Sequence, residues 1–169
     1  MRRSLSLRPA APRDEMLLRN LYASARQEEV SGWGWTPEQT DAFLHMQWNA
    51  QRSSYMAQFP NAVQSIVLQA QQPVGQCYVD YAPDHLRLID LSILPPFRNR
   101  GIGSQVLRNL QLEATRRRIP VLLSVTIENP ARRLYERLGF ILAGSAELYA
   151  SMRWQPPNLI STEEGKLDE

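Results

Sequence analysis

The chain has 169 residues, 43% of them hydrophobic, with a formal net charge of +2 and one cysteine. That length and apolar content suit one globular domain with a sizeable core, and so mild a charge gives no ground for a nucleic-acid partner. Cys77 alone cannot close an internal disulfide, and no clustered Cys and His suggest a metal site, so a reducing cytoplasm is the expected home. The basic start "MRRSLSLRPAAPRDE" is not followed by an apolar run, so no signal peptide is expected, and no stretch is long and apolar enough to span a membrane.

In chain order, Ser4 to Arg8 alternates weakly and reads as a short strand. Asp14 to Gln27 reads as a helix, with Met16, Leu17, Leu21 and Ala25 at helical spacing, broken by "SGWGW" from Ser31 to Trp35. A second helix opens on "TPEQ", where Thr36 caps, Pro37 suits the first turn and Gln39 closes a capping box, and it runs to about Met56. The period then changes. "AVQSIVLQA" and "QPVGQCYVDYA" are two strands joined by a polar turn around Gln71 to Pro73, and "LRLIDLSIL" is a third with apolar residues on both faces, as a central strand has.

Gly103 to Arg118 is helical, with Val106, Leu107, Leu110 and Ala114 as its apolar stripe. "VLLSVTI" is another buried strand. Asn129 and Pro130 open a last helix that presents Ala131, Leu134, Tyr135 and Leu138 on one face and ends at Gly139. "FILAG" and "ELYASMRW" are two final strands. The tail from Gln155 is polar and expected to be loosely held. The order is that of an α/β layer fold with a mixed sheet, a single domain over 1–154 followed by the tail 155–169.

The chemistry concentrates in "RNRGIGSQVL", from Arg98 to Leu107. A strand ends at Leu94 and a helix starts near Gly103, so free backbone N–H groups and a positive dipole end point into the loop between them. Gly101 and Gly103 let an anion approach the backbone closely, and Arg98 and Arg100 add charge and forked donors. The ligand consistent with this is a phosphate or pyrophosphate. A P-loop is excluded because Ser104 follows Gly103 with no lysine, and a dinucleotide-binding loop because Val106 stands where its third glycine belongs.

Arg98, Gly101 and Gly103 match R-x-x-G-x-G just after a strand, and here the chain resembles the GNAT superfamily of acyl-CoA N-acyltransferases, whose acetyl-CoA pyrophosphate loop has this pattern. The stretch "TIENPARRLYERLGF", from Thr126 to Phe140, resembles the late strand–helix segment of the same family at Asn129, Tyr135, Gly139 and Phe140. The resemblance covers roughly Leu5 to Trp154 and is sharpest from Asp90 to Phe140. It implies a mixed, mostly antiparallel sheet of about six to seven strands, splayed in the middle and flanked by about four helices.

It further implies an N-acetyltransferase that takes acetyl-CoA as co-substrate and uses no metal. The coenzyme would be held by Leu91, Ile93, Arg98, Asn99, Arg100, Gly101, Ile102, Gly103, Ser104, Asn129 and Arg132. Pantetheine would pair with the Leu91 to Leu94 strand, and the Ile93 N–H would face the thioester oxygen. The amine would attack directly, so Cys77 reads as a small buried hydrophobe. Tyr135 is placed to assist the leaving thiolate: a phenol of ordinary pKa about 10 keeps its proton at neutral pH and is a donor, besides packing on its helix's inner face.

Asp90 is the one charge inside "LIDLSIL", and a carboxylate in a central strand needs a partner or a purpose. It either receives or orients the acceptor amine, or pairs with an arginine or backbone N–H. His85 and His45 read as surface residues. The acceptor site would be shaped by "EEVSGWGW" and the second helix. Trp33 and Trp35 are candidates to hold a cation, Gln47 and Gln51 with Tyr55 share a helix face, and Glu28 and Glu29 can attract an amine; the plainer reading makes at least one tryptophan a core anchor and leaves the glutamates solvated. Arg116 to Arg118 complement a helix end. The expected acceptor is a small-molecule primary amine. The alternatives are a protein or peptide N-terminus, or a catalytically silent CoA-binding module; no nucleic-acid or membrane partner is expected, and a homodimer is left open.

Overall fold

The computed structural model describes residues 3–159. Its strands are β1 (Leu5–Pro9), β2 (Val63–Gln69), β3 (Gln72–Tyr81), β4 (Leu86–Ile93), β5 (Val121–Thr126), β6 (Ile141–Ala146) and β7 (Tyr149–Trp154). Its helices are α1 (Glu15–Ser31), α2 (Pro37–Gln58), α3 (Ile102–Arg117) and α4 (Ala131–Arg137), with 3-10 turns at Pro12–Asp14 and Pro95–Phe97. The strand order is β1-β2-β3-β4-β5-β7-β6. β1 pairs antiparallel with β2, β5 with β7 and β6 with β7, while β4 pairs parallel with β5. This is the mixed, mostly antiparallel α/β sheet expected from the sequence.

Two compact units divide the chain. The first comprises the described residues up to Tyr78 together with Asp90–Ile102, and the second comprises Val79–Ile89 with the described residues from Gly103 on. In the first unit, Leu18, Leu21, Tyr22 and Val30 of α1 form a core with Leu44 and Trp48 of α2 and Ile66 and Leu68 of β2. Each leucine buried this way contributes about 2 kcal/mol. The buried stripe of α1 is therefore Leu18, Leu21 and Tyr22; Met16, expected to share it, is 75% exposed, and Ala25 is exposed too. Spacing alone admitted both sets, and packing against α2 and β2 selects one.

Helix α1 runs on through Glu28, Glu29 and buried Val30 to Ser31, beyond the expected end at Gln27, because no breaker precedes Gly32. Helix α2 starts as read: the Gln39 N–H donates to Thr36 Oγ1 at 3.2 Å, and the Thr36 N–H donates to Gln39 Oε1 at 3.0 Å. It runs two residues past Met56, to Gln58. The β2–β3 turn is Ala70–Gln71, with φ of 48° and 67°. These left-handed values suit a two-residue hairpin, so the turn lies earlier than the expected Gln71 to Pro73, and β3 begins at Gln72 as its strand was read.

In the second unit, Val106, Leu107, Leu110 and Ala114 of α3 are buried, as are Val121, Leu123 and Val125 of β5. The α3 end wraps up with Arg118 at φ 56°, the Ile119 N–H donating to Ala114 O at 3.0 Å and the Arg118 N–H to Thr115 O at 3.2 Å. The described start of the tail is packed, since Pro156 is fully buried and Asn158 Nδ2 donates to Thr115 O at 3.3 Å. The rest of the polar tail, from 160, lies outside the described residues. Among the described residues no helix is long and apolar enough to cross a membrane.

Candidate active site

The end of β4 sets the geometry of the first unit. The ladder between β4 and β5 is three pairs long, Leu86 to Leu88 against Val121 to Leu123, and the rest of β4 takes no part in it. On the other side β4 stays attached to β3, for the Leu94 N–H donates to Val74 O at 2.8 Å. Backbone groups alternate along a strand, so the N–H and C=O of Leu91 and Ile93 point to the edge away from β3. β3 approaches closely here because residue 75 is glycine: a Cβ on Gly75 would stand 2.3 Å from Ser92 O and 2.8 Å from Ile93 Cδ1.

The chain then turns through Pro95–Phe97 into the glycine loop. Asn99 and Gly101 are both left-handed, with φ of 60° and 78°, and nothing lies within 4 Å of a Cβ built on Gly101. The loop backbone at Gly101 is therefore open to an approaching group. Arg98 folds back rather than outward: its Nε donates to Ile93 O at 2.9 Å, and its Nη2 makes a long contact of 3.5 Å with Ser24 Oγ. Arg100 lies over the Phe97 ring at 5.6 Å and is exposed. Ile102 is buried and opens α3.

Asp90 sits in a polar chain that crosses three strands. Gln76 Nε2 of β3 donates to Asp90 Oδ2 at 2.6 Å, and Gln64 Nε2 of β2 donates to Gln76 Oε1 at 2.7 Å. Ser92 Oγ lies 3.2 Å from both carboxyl oxygens. Burial pushes the Asp90 carboxyl above the usual carboxylate range, against the bonds from Ser92, Leu91 N–H and Gln76 and the charge of Arg26. Among the described residues no ion pair holds Asp90. Cys77 is buried, and its thiol is pushed up to about 12 by burial and by the charge of Asp90, which leaves it inert as a nucleophile.

The expected acceptor residues belong to the same unit as this carboxylate. Arg26 of α1 covers the Tyr22 ring at 3.8 Å, and Tyr22 O–H reaches Gln47 Oε1 at 3.5 Å. Gln47, Gln51 and Tyr55 are all half-buried on one face of α2, and Tyr55 packs edge-on to Tyr78 at 5.8 Å. Trp33 and Trp35 are not core anchors. They are 43% and 42% exposed and form an edge-to-face trio with Phe43, at centroid distances of 4.9, 5.5 and 5.1 Å. The longer α1 leaves only a short loop before α2, which holds both rings at the surface, and the core tryptophan is Trp48. Glu28 and Glu29 are exposed. His45, expected on the surface, is half-buried; its Nδ1 is buried with no partner and its Nε2 meets Asn49 Nδ2 at 3.2 Å. His85 is half-buried beside Asp84, at 2.8 Å.

The second unit carries Gly103 and Ser104 in α3 and the residues of the late motif. Asn129 Oδ1 accepts from the Ala131 N–H at 2.9 Å, which starts α4. Arg132 pairs with Glu136 one turn on, at 3.1 Å. Tyr135 is buried. Helix α4 closes with Gly139 at φ 89°, the Gly139 N–H bonding Glu136 O at 3.0 Å and the Phe140 N–H bonding Tyr135 O at 3.1 Å. That closure sets the rings of Tyr135 and Phe140 edge to face at 5.8 Å, the hydrophobic contact that accompanies such a helix end. The Tyr-x-x-x-Gly-Phe pattern is thus one capping device that fixes the tyrosine.

Gln64, Gln76, Ser92, Arg26 and Gly75 were not singled out from the sequence. Gln76 had a signal, a polar residue within the apolar run "VGQCYV", of the same kind that marked Asp90. Among the described residues no three His, Cys, Asp or Glu side chains are grouped to hold a metal ion.

The fold is similar to that of solved acetyltransferases. PaiA N-acetyltransferase from Thermoplasma acidophilum, in complex with coenzyme A, superposes with a TM-score of 0.67 at 14% identity, over 90% of this chain and 99% of that one. An acetyltransferase from Thermus thermophilus does so at 0.62 and 20%, over 90% and 97%. Spermidine N-acetyltransferase from Vibrio cholerae, in complex with CoA and spermine, does so at 0.62 and 18%, over 92% and 98%. No curated protein matches by sequence. Residues 61–142 match the family described as the acetyltransferase (GNAT) domain.

Proposed function

We propose that the protein transfers an acetyl group from acetyl-CoA to a primary amine by direct attack within a ternary complex. The observation that carries this reading is the open, left-handed backbone at Asn99 and Gly101, leading from the free edge of β4 into α3, inside the segment that matches the GNAT domain. Bound acetyl-CoA supplies an activated acetyl thioester. The backbone of Arg98 to Ser104 holds the pyrophosphate, Arg100 adds charge, and Arg98 fixes Ile93 by its carbonyl. Leu91 and Ile93 pair with the pantetheine arm, and the Ile93 N–H faces the thioester oxygen.

Asn129 and Arg132 lie along the coenzyme in this reading, and Tyr135 donates a hydrogen bond to the departing sulfur. Asp90 receives the proton of the attacking amine, with Trp33, Trp35, Gln47 and Gln51 lining the acceptor side. An amine acceptor accords with the spermine held by the Vibrio cholerae relative, which supports the substrate class and not the particular amine.

Calorimetric titration tests the reading first. Acetyl-CoA and CoA should bind with micromolar affinity, pantetheine without phosphates should not, and Gly103→Trp should abolish binding by filling the cradle; unchanged affinity in that variant would remove the loop assignment. Once an accepted amine is in hand, Tyr135→Phe should lower turnover roughly 100-fold with coenzyme affinity almost unchanged. Normal turnover would reduce Tyr135 to packing.

A further inference from the structure

Asp90 is one of three polar side chains that the first unit strings across adjacent strands. Gln76 is only 8% exposed, so its amide must be paired on both sides. It is: its oxygen takes the Gln64 N–H at 2.7 Å, and its nitrogen gives a hydrogen to Asp90 at 2.6 Å. The pairing fixes which way the Gln76 amide points. With the Gln76 oxygen occupied by Gln64, only the NH2 end faces Asp90, and that end can donate but not accept.

The two oxygens of Asp90 therefore differ. Oδ2 is held by a donor that cannot take a proton back. Among the side chains of the described residues, Oδ1 meets only the Ser92 hydroxyl, which lies 3.2 Å from Oδ1 and from Oδ2 alike and can turn from donor to acceptor. A proton arriving on Oδ1 gives an acid whose O–H can bond Ser92 while the Gln76 bond stays intact. We infer that Gln76, oriented by Gln64, is a positioning pair that holds Asp90 as a carboxylate and leaves Oδ1 as the oxygen that accepts a proton. This rests on the reading in which Asp90 takes the proton of the attacking amine. In that step the amine nitrogen bonds the acetyl carbon as the thioester C=O electron pair moves onto its oxygen, and the amine N–H proton adds to Oδ1; the C=O then re-forms as the C–S bond breaks, and CoA leaves as a thiolate hydrogen-bonded by Tyr135.

Other groups face the same carboxylate. Arg26 from α1 brings a favourable charge, Leu91 on β4 a backbone N–H, and Cys77 from β3 a thiol that stays protonated. Their presence is why the test removes Gln76 and Gln64 and keeps the rest. The removal of a donor to the anion raises the pKa of a carboxyl.

The experiment follows the 13C carboxyl shift of Asp90 against pH in the free protein, which needs no substrate. Gln76→Leu is expected to raise the Asp90 pKa by about one unit, and Gln64→Leu by less, in the same direction. An unmoved titration in both variants overturns the inference, and Gln64→Leu answers the question if Gln76→Leu does not fold. With an accepted amine in hand, the acid limb of kcat/KM should move to higher pH by the same amount, a roughly tenfold loss at low pH with little change on the plateau. A raised Asp90 pKa with an unmoved limb would leave the glutamines as holders of the carboxylate and overturn Asp90 as the proton acceptor.

Discussion

Asp14 shows how much one residue can do at a joint. Arg8 donates to it from both guanidinium nitrogens, at 2.7 and 2.8 Å, and the Ala11 N–H adds a bond at 2.8 Å. These hold its carboxyl down from 3.8 to about 2, chiefly through the Arg8 hydrogen bonds. A depressed carboxyl stabilises the fold above its unfolded value and ceases to do so as pH falls through its folded value. The contribution, about 2 kcal/mol, should be complete above pH 3.8 and lost as pH falls through about 2. Urea unfolding should find Asp14→Asn less stable than the parent by about that much at pH 7, with the gap closing towards pH 2. Equal stability at pH 7 would show that the ion pair contributes nothing net. The sequence marked Asp90 because a charge interrupts an apolar strand. It could not show that its partners would be Gln76 and Ser92 rather than an arginine, since those depend on which strands lie side by side.

Among the elements, β3 and β4 matter most, and their closeness depends on one missing side chain. At Gly75 any Cβ meets the backbone oxygen of Ser92, which cannot swing aside as a side chain would. Gly75→Ala should push the end of β4 away from β3. The expected result is a loss of several kcal/mol in stability and a marked weakening of CoA affinity in the same titration, through displacement of Ile93 and the Arg98 bond to it. An alanine variant of parental stability and affinity would show that the strands can separate there without consequence. Local sequence was a good guide to elements that carry their own stop signals. α2 began at its capping box, and α4 ended at Gly139. It was a poorer guide where no breaker stood: α1 continued past Gln27 because Val30 finds the core, and that extension moved Trp33 and Trp35 to the surface.

For the molecule as a whole, the two compact units are not two lengths of chain. β3 and β4 each run through both, the first unit holding Gln72–Tyr78 and Asp90–Ile93 and the second Val79–Tyr81 and Leu86–Ile89. The single domain read over 1–154 stands as an expectation that unfolding can check. Scanning calorimetry should give one cooperative transition. CoA at a hundred times its Kd should raise it by roughly 5–10 °C, from about 2.7 kcal/mol of linkage. Two separable transitions would contradict the single domain, and an unmoved midpoint would contradict coenzyme binding.

The elements, the glycine loop and the two family motifs were legible in the order of residues alone, because capping, period and left-handed turns act over a few neighbouring positions. Other features emerged only from the folded chain: β4 leaves β5 after three pairs, Arg98 turns back to Ile93, Trp48 rather than Trp33 or Trp35 fills the core, and Gln64 and Gln76 stand behind Asp90. These depend on residues far apart in the chain meeting across strands and helices, and no short-range pattern encodes such meetings.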